Sequence, residues 1–145
     1  VKHSEVTISS EAENVAILRE GYRQWHETRG GSVDHWMGIV DQDISFGSIP
    51  RGAAPMPFAR QYDSREQLRG FFEGLLADWT MVHFTINEYV AQGDAVVARG
   101  STAWTYKKTG KTVETPKLDF WRFRNGKAVE FYEYFDTAQA AAATT

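Results

Sequence analysis

The sequence predicts an α+β fold with helices on one face of a mostly antiparallel sheet, and three observations predict it. In three segments up to Trp79, apolar residues recur at helical spacing. Beyond Trp79 the period falls to two, in four successive runs rich in β-branched and aromatic residues. Those runs are punctuated by Gln92-Gly93-Asp94, Thr109-Gly110 and Asn125-Gly126, which are short hairpin signals. Helices first and a meander afterwards is the order of an α+β fold with its helices gathered on one side.

Each element follows from a local pattern. Residues 1–10 carry no strong periodicity and read as a loose arm or a short capping strand. From Glu11 to about Thr28, Val15, Leu18, Tyr22 and Trp25 make one helical stripe. Gly30 and Gly31 stop it, because glycine enters the left-handed conformation at a helix end cheaply. Ser32 then reads as the N-cap of a short helix carrying Trp36, Ile39 and Val40. Ile44 to Ser48 reads as a short strand, leading into GSIPRGAAPMPFARQYD, whose prolines and glycines forbid a regular element. That long loop has two readings, a functional segment or a flexible surface insert. Asp63 or Ser64 caps a third helix with the stripe Leu68, Phe71, Phe72, Leu75, Leu76 and Trp79. The strand candidates after it are MVHFTINEYV, AVVARGSTAWTY, KTVETPKLDFWRF and KAVEFYEYF.

Composition bounds the function. The 145 residues fit one domain, 1–145 with a core of about 11–138, and no internal repeat appears. Five Trp, six Tyr and nine Phe are heavy for the length, and flat rigid side chains fill cores, subunit interfaces and pockets for ring-shaped ligands. A net charge of −3 with no Lys/Arg cluster argues against nucleic acid or an anionic membrane as a partner. There is no cysteine, hence no disulfide and no thiolate metal site. No stretch approaches the roughly 20 apolar residues of a membrane span, and the start lacks a signal-peptide pattern. The expectation is a cytoplasmic protein with no metal and no cofactor.

The segment TPKLDFWRFRNGKAVEFYEYFDTA resembles the closing hairpin of the nuclear-transport-factor-2-like superfamily. It is most similar to SnoaL-like proteins, which include polyketide cyclases and relatives of ketosteroid isomerase. The aromatic–Arg–Phe strand end, the Asn-Gly turn and the final Glu-Tyr-Phe-Asp carry the resemblance, which spans roughly residues 11–138. It implies a cone in which three N-terminal helices pack on a curved sheet enclosing a pocket, and a homodimer formed through the convex sheet face. It also implies a register. The hairpin could turn on Asn125-Gly126, pairing Arg124 with Lys127, or on Arg124-Asn125-Gly126, pairing Phe123 with Lys127. The second puts Lys117, Asp119, Trp121, Phe131, Glu133 and Phe135 on the pocket face, with Lys117 opposite Glu133, and is the expectation taken here.

Asp119 is the sharpest candidate for chemistry, since a carboxylate between Leu118 and Phe120 is costly unless paired or protonated. The resemblance aligns it with an aspartic acid that donates a hydrogen bond to a developing oxyanion in ketosteroid isomerase. A structural acid paired with Lys117 or an arginine is the competing reading. Tyr22 matches the oxyanion-hole tyrosine of the same enzyme, and on spacing alone it is a core residue. The isomerase's second aspartate has no counterpart in Ser45-Phe46-Gly47-Ser48, so that steroid mechanism is not expected. Epoxide-hydrolase machinery also fails, because its Arg–x–Asp pair falls near Gly100-Ser101-Thr102. Lys117 and Glu133 read as an ion pair, or with Asp119 as a trio that separates an acid from a base.

Among His26, His35 and His83, the last sits on a strand and is the best proton-shuttle candidate. Lys117, Trp25, Trp36, Trp121, Phe131 and Phe135 make up the expected substrate-binding set around the catalytic candidates Asp119, Tyr22, Glu133 and His83. Two functions stay open. One is a cofactor-independent isomerase, cyclase or dehydratase acting on a small hydrophobic cyclic carbonyl compound; the other is a non-catalytic module binding such a ligand.

Overall fold

The computed structural model describes residues 2–145, with side chains from Ser10 onward. Helix α1 runs Lys2–Glu27 and takes in most of the segment expected as an arm, since neither proline nor glycine interrupts it before Gly21. It ends in the left-handed conformation at Arg29 (φ 51) and Gly30 (φ 88), with the Gly30 N–H donating to the Trp25 carbonyl at 3.0 Å. Helix α2, Val33–Ile39, follows Ser32. Ser32 holds the cap position, but its buried hydroxyl makes no hydrogen bond among the described residues.

Strand β1, Val40–Ser48, begins four residues earlier than its sequence pattern announces. The loop after it is no flexible insert. Met56 and Ala59 are buried against Ala140, Tyr62 is buried in the core, and Phe46 and Tyr62 exchange backbone hydrogen bonds of 2.9 and 2.8 Å. Helix α3, Arg65–Asp78, starts at a reciprocal cap: Gln67 N–H donates to Ser64 Oγ at 3.1 Å, and Asp63 N–H donates to the Gln67 side chain at 3.0 Å.

Strands β2 (Trp79–Gln92), β3 (Ala95–Tyr106), β4 (Thr112–Arg124) and β5 (Lys127–Phe135) form the meander. The sheet order is β1-β5-β4-β3-β2, with β1 parallel to β5 and the rest antiparallel. Trp79, expected on the third helix, opens β2 instead. Strand β2 shifts register between Met81 and His83 and again between Ile86 and Glu88. These bulges bend the sheet over Gly100, where a Cβ would lie 1.8 Å from the Thr85 carbonyl oxygen.

The β4–β5 turn corrects the expected register. Asn125 (φ 52) and Gly126 (φ 77) form a two-residue turn, so Arg124 pairs with Lys127 and Phe123 with Ala128. A bulge then takes up Val129, and Arg122 pairs with Glu130. Beyond the bulge Asp119 stands opposite Glu133, and Lys117 opposite Phe135. The turn and the bulge together displace the expected pairing by two residues, which preserves the side-chain period. The six named residues therefore share the concave face as expected, while Glu133 faces Asp119 rather than Lys117.

A fourth helix, α4 (Thr137–Ala143), closes the fold and was not expected. Its alanine run has no polar–apolar period to read, but Asp136 caps it by accepting from Gln139 N–H at 3.0 Å. Among the described residues no helix is long and apolar enough to cross a membrane.

Candidate functional site

Between the helices and the concave face of the sheet lies a cavity of about 110 Å³. All five tryptophans line it: Trp25 from α1, Trp36 from α2, and Trp79, Trp104 and Trp121 from the sheet. Met56 and Phe58 of the loop, Phe135 at the end of β5 and Ala140 of α4 form part of the wall. The loop expected to be either functional or a surface insert thus shapes the cavity. Gly21 sets the approach of α2, because a Cβ there would meet the Trp36 ring at 2.8 Å. Trp36 then stacks on Trp121 with centroids 5.5 Å apart and meets Tyr22 edge-on at 5.1 Å.

The charged groups of the lining, Lys117, Asp119 and Glu133, belong to a single hydrogen-bonded chain. Trp121 Nε1–H donates to the Tyr22 hydroxyl at 2.9 Å, and the Tyr22 hydroxyl donates to Asp119 Oδ2. Lys117 Nζ donates to Asp119 Oδ1 at 2.5 Å and to Glu133 Oε1 at 2.7 Å. The Ser48 hydroxyl donates to Glu133 Oε2. The expected Lys117–Glu133 pair is therefore one half of a bridge. Beside it, the rings of Phe84, Phe131 and Phe135 lie 5.7, 5.7 and 5.8 Å from the ammonium.

Asp119 is 1% exposed, and Lys117 and Glu133 are 6% exposed. One ammonium between two carboxyls leaves an excess negative charge in a buried wall when both acids are ionised, and burial opposes that. Burial pushes the Asp119 carboxyl above the ordinary range, assisted by Glu133 and opposed by Lys117 and by the Tyr22 hydrogen bond. For Lys117 burial acts downward, but the two carboxylates outweigh it and the ammonium is held above its usual value. Tyr22 is pushed well up, first by burial and then by the charge of Asp119. Burial thus favours the protonated form of Asp119, while Lys117 favours its charge and Tyr22 its intact phenol.

Asp119, Tyr22, Glu133, Lys117, Trp25, Trp36, Trp121, Phe131 and Phe135 all line the cavity. His83 does not join them. The register shift of β2 between Met81 and His83 interrupts its alternation and turns His83 to the convex face, where its Nε2 lies 2.8 Å from Glu114 and its Nδ1 3.2 Å from Thr85. Ser48 was missed as a site residue. It pairs with Glu133 across the parallel β1–β5 contact, a long-range pairing with no local sequence signal.

A sequence model of the SnoaL-like domain matches residues 18–131, which is most of the chain and includes Tyr22, Lys117, Asp119 and Phe131. The chain belongs to the SnoaL-like family. Among solved structures, an NTF2-like protein of Burkholderia thailandensis superposes with a TM-score of 0.76 at 25% identity, over 91% of this chain and 97% of its own. TerC, co-crystallised with polyporic acid, gives 0.75 at 18% identity over 90% and 97%. IdmH of Streptomyces antibioticus, a candidate polyketide cyclase, gives 0.68 at 21% identity over 90% and 97%. No curated protein matches the sequence. For this SnoaL-like protein the likeness fixes the fold, and the chemistry has to be argued from its own side chains.

Proposed function

We propose that this SnoaL-like protein is a cofactor-independent acid–base enzyme that moves a proton on a small, uncharged cyclic carbonyl compound, as an isomerase, cyclase or dehydratase does. The observation that carries this reading is the placement of two carboxyls on one buried ammonium in the wall of an aromatic cavity. A lysine has three N–H donors, and Lys117 uses two on the acids, so one remains for a substrate oxygen. The ionised member of the Asp119–Glu133 pair takes a proton from the carbon next to the carbonyl. When Asp119 holds a proton it no longer needs the Tyr22 hydroxyl, which then turns to the oxygen on which charge develops. The same proton returns to a different carbon, so isomerisation needs no further reagent.

The cavity's volume supports a single-ring substrate. An engineered apolar cavity of about 150 Å³ holds benzene, and the cavity here, about 110 Å³, is of that order. The likeness to TerC, which was crystallised with polyporic acid, supports an oxygenated cyclic ligand.

Hydrogen–deuterium exchange at the α-carbons of simple cyclic enones, followed by NMR in deuterated water, tests the reading. The wild-type protein should speed the exchange, and Asp119→Asn should lower the rate by about 10²–10⁴-fold. Saturable ring binding with no exchange would make the protein a ligand-binding module instead. One observation favours that second reading: both oxygens of Asp119 and both of Glu133 are already engaged inside the protein.

A further inference from the structure

The peptide group joining His83 to Phe84 sits where β2 bulges, and two side chains hold it. Thr102 Oγ1–H donates to the His83 carbonyl at 2.9 Å, and the Phe84 N–H donates to His26 Nδ1 at 3.1 Å. A backbone amide can only donate, so His26 Nδ1 must be the unprotonated acceptor and its proton must sit on Nε2. His26 lies one turn beyond Tyr22 on the same face of α1, so one helix supplies both the phenol and the clamp.

What the clamp holds is the floor of the site. The Phe84 ring stacks on Tyr22, with centroids 5.5 Å apart and planes 18° from parallel, and lies 5.7 Å from Lys117 Nζ. An amide that lost its acceptor at a bulge would be left unsatisfied in a half-buried place, and the peptide would rotate to find another. Rotation there carries the Phe84 ring off Tyr22, and the phenol is what completes the hydrogen bond to Asp119.

We propose that His26 is a positioning residue of the acid–base site, acting through the Phe84 peptide on Tyr22 and Lys117. This rests on the proton-transfer reading above, and the test separates the two. His26→Asn places an acceptor where Nδ1 was, whereas His26→Leu keeps bulk and removes the acceptor. The first readout is the low-field NMR signal of the Tyr22 hydroxyl proton, which needs no substrate. Wild type and His26→Asn should share that signal, and His26→Leu should shift it upfield or broaden it. The second readout is enone exchange, where His26→Leu should lose about tenfold to a hundredfold in kcat with KM little changed.

Phe84→Leu gives an independent route should His26→Leu fold poorly. It should move the Tyr22 signal in the same way, and the double variant should move it no further. An unmoved Tyr22 signal in His26→Leu or Phe84→Leu, additive shifts in the double variant, or His26→Asn behaving like His26→Leu would each overturn the proposal. If wild type exchanges no substrate proton, the enzyme reading falls while the hydroxyl signal still decides the role of His26.

Discussion

Asp119 and Glu133 stand directly opposite one another across the β4–β5 hairpin and reach the same lysine ammonium, at 2.5 and 2.7 Å. Two acids and one base in a buried wall make the proton inventory of the site depend on pH, and stability must follow it.

For Asp119 the sign is set by burial, which raises its pKa in the folded protein above the ordinary 3.8. Between those two values the native state holds a proton that the unfolded chain has released. The stabilisation is therefore present below the unfolded value and is lost as pH rises through the folded one. Urea unfolding from about pH 4 to about pH 8 should show wild type losing stability relative to Asp119→Asn as pH rises. A difference that grows in the opposite direction would mean the folded pKa is depressed.

Lys117→Met leaves two acids facing each other without their cation. At neutral pH this should cost about 3–5 kcal/mol, the usual result of removing one member of a buried charge pair. The loss should shrink in mild acid, where the remaining carboxyls accept protons. A cost under about 1 kcal/mol at neutral pH, as for an exposed pair, would show the bridge to be hydrated.

Gly21→Ala tests the packing that shapes the cavity. The added methyl would meet the Trp36 ring at 2.8 and 2.9 Å and the Ile39 side chain at 3.2 Å. Trp36 must move, and the expected cost is about 1–3 kcal/mol. Tryptophan fluorescence and ring binding should change with it, because Trp36 also stacks on Trp121. Unchanged stability and spectrum would show that α2 can slide outward freely.

The convex face of the sheet is expected to join two copies of the chain. Val90 and Tyr134 are exposed there at 57% and 46%, and Tyr134 stands opposite Leu118 on the face turned away from the cavity. Sedimentation equilibrium at micromolar concentration should give twice the 16.4 kDa of one chain, and Tyr134→Glu should shift the equilibrium toward monomer. A single 16.4 kDa species for wild type would contradict the dimer.

The sequence by itself determined the type of most elements and which residues of a regular stretch share a face, because helical and strand periods are local. The N-terminal part of α1 and the alanine-rich α4 had no such period to read. The stripe of Leu68, Phe71 and Phe72 and the alternation Lys117, Asp119, Trp121 needed only neighbours along the chain, and both lie where that period puts them. Tertiary structure decided what those faces meet. The bulge at Val129 chose Asp119 as the partner of Glu133, and no residue pattern marks a bulge whose cause lies in strand twist and packing. Ser48 reached Glu133 through a parallel pairing 85 residues apart along the chain, and His26 reached Phe84 across 58, distances over which composition and spacing carry no signal. His83, the histidine with the better local setting, was turned outward by the bulge after Met81, which breaks the alternation that would have aimed it inward. The chemistry of the site was written in residue types, but its geometry came from contacts that form only when the chain has closed on itself.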